Sequence, residues 1–187
     1  EHSSQSRLNI SGIQPNRVHR CIVFLIPVKY TAEQYEKAVE LIRKHFPDAA
    51  LTTDIIAGFP DESDNDFEES LSFAKKIGFL KIHAFPYSPK RGTPAAAMEN
   101  QIQNSVKNER TARLIELSDI MGEEFIERFK GRNMPVLFER EISENLYEGY
   151  TVNYIRVIAE SKENIQNKIL DVKILSHEND TAHGEII

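Results

Sequence analysis

The chain has 187 residues and a formal net charge of −6, with 40% apolar residues, 28% charged residues and no tryptophan. These values predict a globular protein of one domain or two small ones, and they exclude a disordered chain, a collagen-like chain and a disulfide-stapled scaffold. The negative charge argues against indiscriminate coating of nucleic acid but leaves a local RNA site open. Cys21 is the only cysteine, so this chain alone contains no disulfide and no metal site built from several cysteines.

The longest apolar run, residues 21–28, is far shorter than the roughly 18 residues that span a membrane. We expect it to form a buried strand, and it lacks the cleavage site of a signal peptide. We therefore expect a cytoplasmic protein that makes no membrane contact. Residues 1–20 are polar and lack a hydrophobic period, so little order is expected there.

Between residues 21 and 130, strand-like runs alternate with helix-like periods, which is typical of α/β folds built from βα units around a parallel sheet. Besides residues 21–28, strands are predicted at residues 50–57 and 79–85. Helices are predicted to begin after Thr31, near Ser63 and at Ser105, the last one extending to Lys130. The predicted inward-facing residues of the first two helices are Tyr35, Ala38, Val39, Ile42 and Phe46, then Phe67, Leu71, Ala74 and Ile77.

Three single residues add detail to this reading. Gln34 follows Thr31 at the spacing of a capping box, and Gly78 is a natural residue to end the second helix. His83 lies in the middle of a predicted strand, so we expect it to be packed in the core.

After Gly131 the pattern changes to strands separated by short polar turns. The predicted strands are residues 134–140, 150–160 and 168–177, with a last piece near 184–187. No helix fits between them, so this part predicts a small antiparallel, OB-like β-barrel.

Two loops are candidates for ligand binding, because βα barrels hold ligands at the carboxyl ends of their strands. Residues 58–63 contain Gly58 and Pro60, which fix a tight turn and allow close backbone approach. An ordinary turn with a helix cap is the alternative reading. The second loop, from Phe85 towards Asn104, is much longer than the usual connection of about 4–6 residues, which favours a functional loop.

These segments resemble the radical-SAM methylthiotransferases. The resemblance covers about residues 30–187 and rests on several motifs in the same order: residues 52–60, 66–69, 85–88, 92–96, 109–110 and 114–118. It implies an unmatched segment 1–29, the C-terminal part of a radical-SAM (βα) barrel over residues 30–130, and a TRAM-like β-domain over residues 131–187.

Within this family, residues 149–157 and 85–88, with Met98 and Gln101, resemble the branch that methylthiolates threonylcarbamoyladenosine beside the tRNA anticodon. The isopentenyladenosine branch ranks second and the ribosomal-protein branch third. The resemblance therefore implies tRNA as the substrate, with modification at C2 of the adenosine.

The family resemblance also implies S-adenosyl-L-methionine (SAM) and [4Fe–4S] clusters as cofactors. The family's cluster cysteines are absent from this chain, and one thiolate, Cys21, does not replace the three or four that a cluster needs. We therefore expect the chain to be inactive alone. A truncated or frame-shifted reading frame, a piece containing selected domains and a genuine remnant all stay open. Asp61 is a further departure, because the family often has Gly there.

The resemblance implies that Ile56, Gly58, Phe85 and Tyr87 lie against the adenine or ribose of SAM, with packing at the strand ends as the alternative. Asp54 is either a polar group that contacts SAM or lines the barrel, or an internal residue whose hydrogen bonds are satisfied. Arg91, and less so Lys90, suit the SAM carboxylate or the tRNA backbone. No catalytic residue and no metal ligand is assigned.

In the β-domain, Arg132, Asn153, Tyr154 and Arg156 combine a stacking ring with nearby cations, which suits single-stranded RNA. Residues 131–187 contain six Lys and Arg against ten Asp and Glu, a balance of −4, so we expect a weak, salt-sensitive contact on one face.

A non-catalytic, free-standing RNA-binding module is the alternative function. In either case half a barrel leaves an exposed sheet edge at residues 21–28 or 50–58, so we expect self-association.

Overall fold

The computed structural model describes residues 31–187, which form a mixed α/β structure. The elements in chain order are α1 (Ala32–His45), β1 (Thr52–Ala57), α2 (Asp64–Ile77), β2 (Lys81–Pro86), a short 3-10 helix (Pro94–Ala97), α3 (Asn104–Glu127), β3 (Asn133–Ser143), β4 (Leu146–Thr151), β5 (Arg156–Glu160), β6 (Ile169–Glu178) and β7 (Thr181–Ile186). The predicted strand at 21–28 and the segment 1–29 lie outside the described residues.

The helix starts follow the capping signals in the sequence. Thr31 and Gln34 form the predicted capping box of α1, and Ser63 forms a second one with Asp66 at α2. Gly78 ends α2 in the left-handed conformation, with φ +64°, which a glycine adopts at little cost. The prediction that Phe46 faces inward is wrong: α1 ends one residue earlier, and Phe46 is 54% exposed.

β1 and β2 pair in parallel, and their register aligns Thr52 with Lys81 and Ala57 with Pro86. Because side chains alternate along a strand, one face of the pair is buried beneath the helices. The buried face carries Thr53, Ile55, Ala57 and Ile82. Both strands begin two residues later than predicted, after buried loop residues.

The other face of this pair carries Asp54 and Ile56 from β1, aligned with His83 and Phe85 from β2. No described helix covers this face, and His83 is exposed. The expectation of a core histidine is therefore wrong: His83 falls on the uncovered side of the alternation. We call these four residues the open face.

α3 packs on both parts of the molecule. Leu114 and Met121 belong to the core beneath β1 and β2, whereas Phe125 and Ile126 belong to the core of the barrel that follows. The hydroxyl of Ser118 accepts a hydrogen bond of 2.9 Å from the backbone N–H of Ile82. α3 therefore satisfies one backbone donor on the outer edge of β2.

Strands β3 to β7 form a closed barrel in the order β3-β4-β5-β7-β6. β6 pairs with both β3 and β7, which closes the ring. Most ladders are antiparallel, but β5 and β7 are parallel, so the expectation of an entirely antiparallel barrel is wrong for this pair.

The predicted strand 150–160 is also wrong, because it divides into β4 and β5. The break is a turn in which Tyr154 adopts φ +64° and its N–H donates to the carbonyl of Thr151 at 3.1 Å. The hydroxyl of Thr151 accepts from the N–H of Ile155 at 2.9 Å. These local bonds stabilise the turn in place of continued ladder pairing.

None of the helices within residues 31–187 is both long and apolar enough to cross a membrane.

Candidate ligand site at the ends of the parallel strands

The chain leaves β1 through Gly58, which adopts φ +74°. A Cβ atom built on this glycine lies 2.4 Å from Cγ of Lys107, in the first turns of α3. Backbone conformation and side-chain packing both require glycine here. The loop after β1 therefore lies directly against α3.

An ion network centred on the buried side chain of Arg110 holds this loop. The N–H of Gly58 donates to Oε2 of Glu62 at 2.5 Å, and the same oxygen accepts from Nη1 of Arg110 at 2.7 Å. Nη2 of Arg110 donates to Asp64 at 2.7 Å. Burial acts to lower the pKa of Arg110, but its hydrogen bonds to Asp64 and Glu62 outweigh burial and raise that pKa. Arg110 is thus a fixed cation that orients the loop after β1.

The loop after β2 is tied to the loop after β1. The amide of Asn100 donates to the carboxylate of Asp61 at 2.6 Å, and the N–H of Asp61 donates to the carbonyl of Asn100 at 3.1 Å. Asp61 adopts φ +67°, a conformation that favours glycine. The glycine expected here from the family resemblance suits this backbone, and Asp61 adopts it with Asn100 as a partner.

The structure brings most of the predicted cofactor residues to one place. Asp54, Ile56 and Phe85 lie on the open face, where Ile56 is 37% exposed and Phe85 is 52% exposed. Gly58 and Tyr87 lie at the ends of the strands, and the N–H of Tyr87 donates to the carbonyl of Ala57 at 2.8 Å. This clustering creates an apolar surface beside polar backbone groups at the carboxyl ends of parallel strands.

Two predicted loop residues lie apart from that cluster. Arg91 and Lys90 are exposed in the loop after β2. The carbonyl of Lys90 accepts from the N–H and hydroxyl of Thr93, so this part of the loop is ordered by its own turn.

Sequence reasoning missed Lys107, Arg110 and Glu62. Lys107 shares a helix face with Thr111, Leu114 and Ser118, all of them buried. That helical spacing was the available signal for a buried lysine. The partners of Arg110 are 46 and 48 residues away in sequence, so no local pattern indicates them.

Two of the predicted RNA residues lie where the barrel meets the α/β part. Both terminal nitrogens of Arg132 donate to the carboxylate of Asp48, at 3.0 and 2.5 Å. The amide of Asn153 donates to the backbone carbonyl of Asp48 at 3.0 Å, and its side chain is buried. The hydrogen bonds from Arg132 lower the pKa of Asp48. These residues join the two parts, and their RNA contact stays a prediction.

The other two predicted RNA residues, Tyr154 and Arg156, line a cavity of about 460 Å³ between the barrel and α3. Nε of Arg156 donates to the buried carboxylate of Glu148 at 2.6 Å, and Arg140 donates to the same carboxylate at 3.0 Å. Burial acts to raise the pKa of Glu148, yet these hydrogen bonds outweigh burial and lower it. Arg156 therefore has a structural partner, and its RNA contact also stays a prediction.

Within residues 31–187 no group of three or more His, Cys, Asp and Glu side chains is arranged to hold a metal ion.

Three known proteins that this chain resembles are enzymes that add a methylthio group to tRNA. No protein-family model matches the chain. It is 40% identical over 151 residues to the threonylcarbamoyladenosine tRNA methylthiotransferase MtaB of Bacillus subtilis, which covers 79% of this chain and 34% of that protein. The tRNA-2-methylthio-N(6)-dimethylallyladenosine synthases of Aquifex aeolicus and Acetivibrio thermocellus are 34% and 36% identical over 89% of this chain, and they are covered over 38% and 35% of their lengths.

The chain belongs to the tRNA methylthiotransferase family. It spans about a third of the length of these curated relatives.

Gly58 provides a test of this site, and Gly92 is a matched control. Gly92 has φ +86°, but a Cβ atom there meets nothing within 4 Å. We expect Gly92→Ala to lower the free energy of unfolding by about 1 kcal/mol through backbone strain alone. Gly58→Ala also displaces Lys107, so its loss is expected to be about 3 kcal/mol. Urea denaturation measures both, and equal losses contradict the close packing of Lys107 on Gly58.

Proposed function

We propose that this chain is the C-terminal part of a tRNA methylthiotransferase that modifies C2 of N6-threonylcarbamoyladenosine beside the anticodon. The observation that carries the proposal is the 40% identity to the Bacillus subtilis enzyme over most of the chain. That enzyme is named for its action on threonylcarbamoyladenosine. Identity to the dimethylallyladenosine synthases is lower, at 34–37% in the relatives compared, which supports the first branch over the isopentenyladenosine branch.

The ends of β1 and β2 suit the adenosyl group of SAM. Exposed Ile56 and Phe85 provide apolar surface for an adenine ring, and the absence of a side chain at Gly58 permits close approach to the backbone. Asp54 lies two residues before Ile56 on the same face of β1. Its carboxyl group is a hydrogen-bond acceptor for a ribose hydroxyl. Bound SAM supplies this family with radical chemistry at adenosine C2.

The residues of this chain do not fit an iron–sulfur cluster. Residues 31–187 contain no cysteine, and Cys21 is one thiolate where a cluster needs three or four. We therefore derive no reaction step through a cluster, and we propose that the chain binds and orients substrate and SAM but is inactive alone.

The barrel is proposed to be the TRAM-like, OB-type RNA-binding part. Its five strands and the order β3-β4-β5-β7-β6 support this assignment. Lys107 at one end of α3 and Phe125 in the barrel core are 18 residues apart, or about 27 Å along the helix. An RNA that contacts both the strand ends beside Lys107 and the barrel must therefore span a distance of this order, as a stem-loop of tRNA does.

SAM binding tests the proposed site. We expect calorimetric titration of the 187-residue chain to give measurable binding of SAM, with S-adenosylhomocysteine as the comparison. Phe85→Ala should weaken binding about tenfold because it removes a ring that stacks on adenine. Ile169→Ala, at a 68% exposed barrel residue, is the matched control and should change nothing. RNA binding without any SAM binding would favour the free-standing RNA module instead.

A variant of Asp48 is the control for testing whether Arg132 contacts RNA. Arg132→Ala removes both the cation and its ion pair, whereas Asp48→Asn weakens the ion pair but keeps the cation. If Arg132 contacts RNA, filter binding of an anticodon stem-loop at low salt should weaken several-fold for Arg132→Ala and not for Asp48→Asn. Equal weakening in both variants would assign Arg132 a structural role only.

A further inference from the structure

Lys107 is an unusual lysine because its residue is only 4% exposed and no carboxylate among residues 31–187 pairs with it. The two nearby acids of the loop network, Glu62 and Asp64, pair with Arg110. The stem of Lys107 is buried against Gly58, whereas its ammonium group has no carboxylate partner among these residues. The described part of the chain therefore leaves a positive charge uncompensated at the ends of β1 and β2.

The position of Lys107 is fixed by its neighbours. Its Cβ and Cγ pack over Gly58, and its Nζ lies 5.3 Å from the centroid of the Tyr87 ring. The ring of Tyr87 in turn packs edge-on against Phe59, with 5.2 Å between the centroids. A cation over an aromatic face is stabilised, but by much less than a carboxylate partner provides. The packing of the stem on Gly58 therefore places the ammonium group of Lys107 beside the ring of Tyr87.

Tyr87 contributes a second unsatisfied group. Its hydroxyl oxygen is buried and has no hydrogen-bond partner among the described residues. Buried polar groups are normally paired, so the unpaired hydroxyl of Tyr87, on the ring that the Lys107 ammonium group contacts, requires an explanation. Both groups donate hydrogen bonds, and an oxyanion accepts them.

We propose that Lys107 and Tyr87 bind an anionic group of the ligand, a carboxylate or phosphate, at the carboxyl ends of β1 and β2. The proposal rests on the proposed function of this end of the sheet and adds the chemistry of one subsite to it. Two sources supply such an anion: the carboxylate of SAM and a backbone phosphate of the RNA. The side chains of Lys107 and Tyr87 make no hydrogen bond to another described residue, so side-chain substitutions separate binding from stability.

The variants follow from this geometry. Lys107→Met keeps the Cβ and Cγ that pack on Gly58 and removes the charge. Tyr87→Phe removes only the unpaired hydroxyl, so the free energy of unfolding should not fall. Lys75→Met, at an exposed position on α2, is the control for loss of a lysine charge.

Calorimetry of the 187-residue chain with SAM and decarboxylated SAM isolates the carboxylate, the group by which the two ligands differ. If the SAM carboxylate is the anion, the wild-type chain should bind SAM about tenfold more tightly than decarboxylated SAM. Lys107→Met should abolish that difference by weakening SAM alone, and Tyr87→Phe should reduce it. Lys75→Met should leave both affinities unchanged.

A salt series with an anticodon stem-loop tests the phosphate source. If the anion is a phosphate, Lys107→Met should reduce the slope of log affinity against log salt by roughly 0.7–0.9 while SAM binding stays the same. The proposal is overturned if Lys107→Met changes neither ligand, or if it weakens SAM and decarboxylated SAM alike.

Failure of the anion subsite can be distinguished from failure of the proposed function. If the wild-type chain binds none of these ligands, the proposed function fails, and titration with inorganic phosphate then decides the anion subsite alone. A Tyr87 NMR signal that shifts with phosphate in the wild-type chain, but not in Lys107→Met, supports the subsite. Signals unmoved by phosphate overturn it.

Discussion

The structure depends on a single helix that belongs to two hydrophobic cores. Leu114 of α3 is fully buried beneath β1 and β2, and Ile126 is buried in the core of the barrel. Because an α-helix rises about 1.5 Å per residue, α3 sets the distance between the ligand end of the sheet and the barrel. The contacts of Asp48 with Arg132 and Asn153 add a polar joint at the barrel end.

Buried and half-buried charges are arranged in a consistent way in both parts of the molecule. Arg110 pairs with Glu62 and Asp64 beside the loop after β1, and Glu148 pairs with Arg140 and Arg156 in the barrel. In each case charge-assisted hydrogen bonds compensate for the removal of the charge from water. Lys107 departs from this arrangement, and it does so at the ends of the parallel strands, where ligands of βα folds bind.

Local signals predicted local structure well. The capping box at Thr31, the helix end at Gly78 and the buried positions Phe67 and Ile77 all follow from spacing and backbone preference, and the structure has each of them. The prediction that Phe46 faces inward was wrong because periodicity does not indicate where a helix ends. The prediction that His83 is packed in the core was wrong because alternation distinguishes the two faces of a strand but does not indicate which face is covered.

Non-local pairing could not be predicted from the sequence. The parallel pair β5–β7 joins segments separated by the whole of β6, and the partners of Arg110 lie on another helix and loop. The family resemblance nevertheless pointed to Ile56, Gly58, Phe85 and Tyr87, which the structure places near the ends of the two strands, and their contact with SAM stays a prediction. What the resemblance did not indicate is Lys107, whose Nζ lies 5.3 Å from the centroid of the Tyr87 ring.

The central proposal is that residues 31–187 form the C-terminal part of a tRNA methylthiotransferase that acts on threonylcarbamoyladenosine. The most direct measurement replaces the matching segment of the Bacillus subtilis relative with residues 31–187 of this chain, in cells that lack the native enzyme. Mass spectrometry of nucleosides from their tRNA should then show the methylthio form of threonylcarbamoyladenosine. A soluble, folded chimera that leaves this nucleoside without the methylthio group would contradict the account.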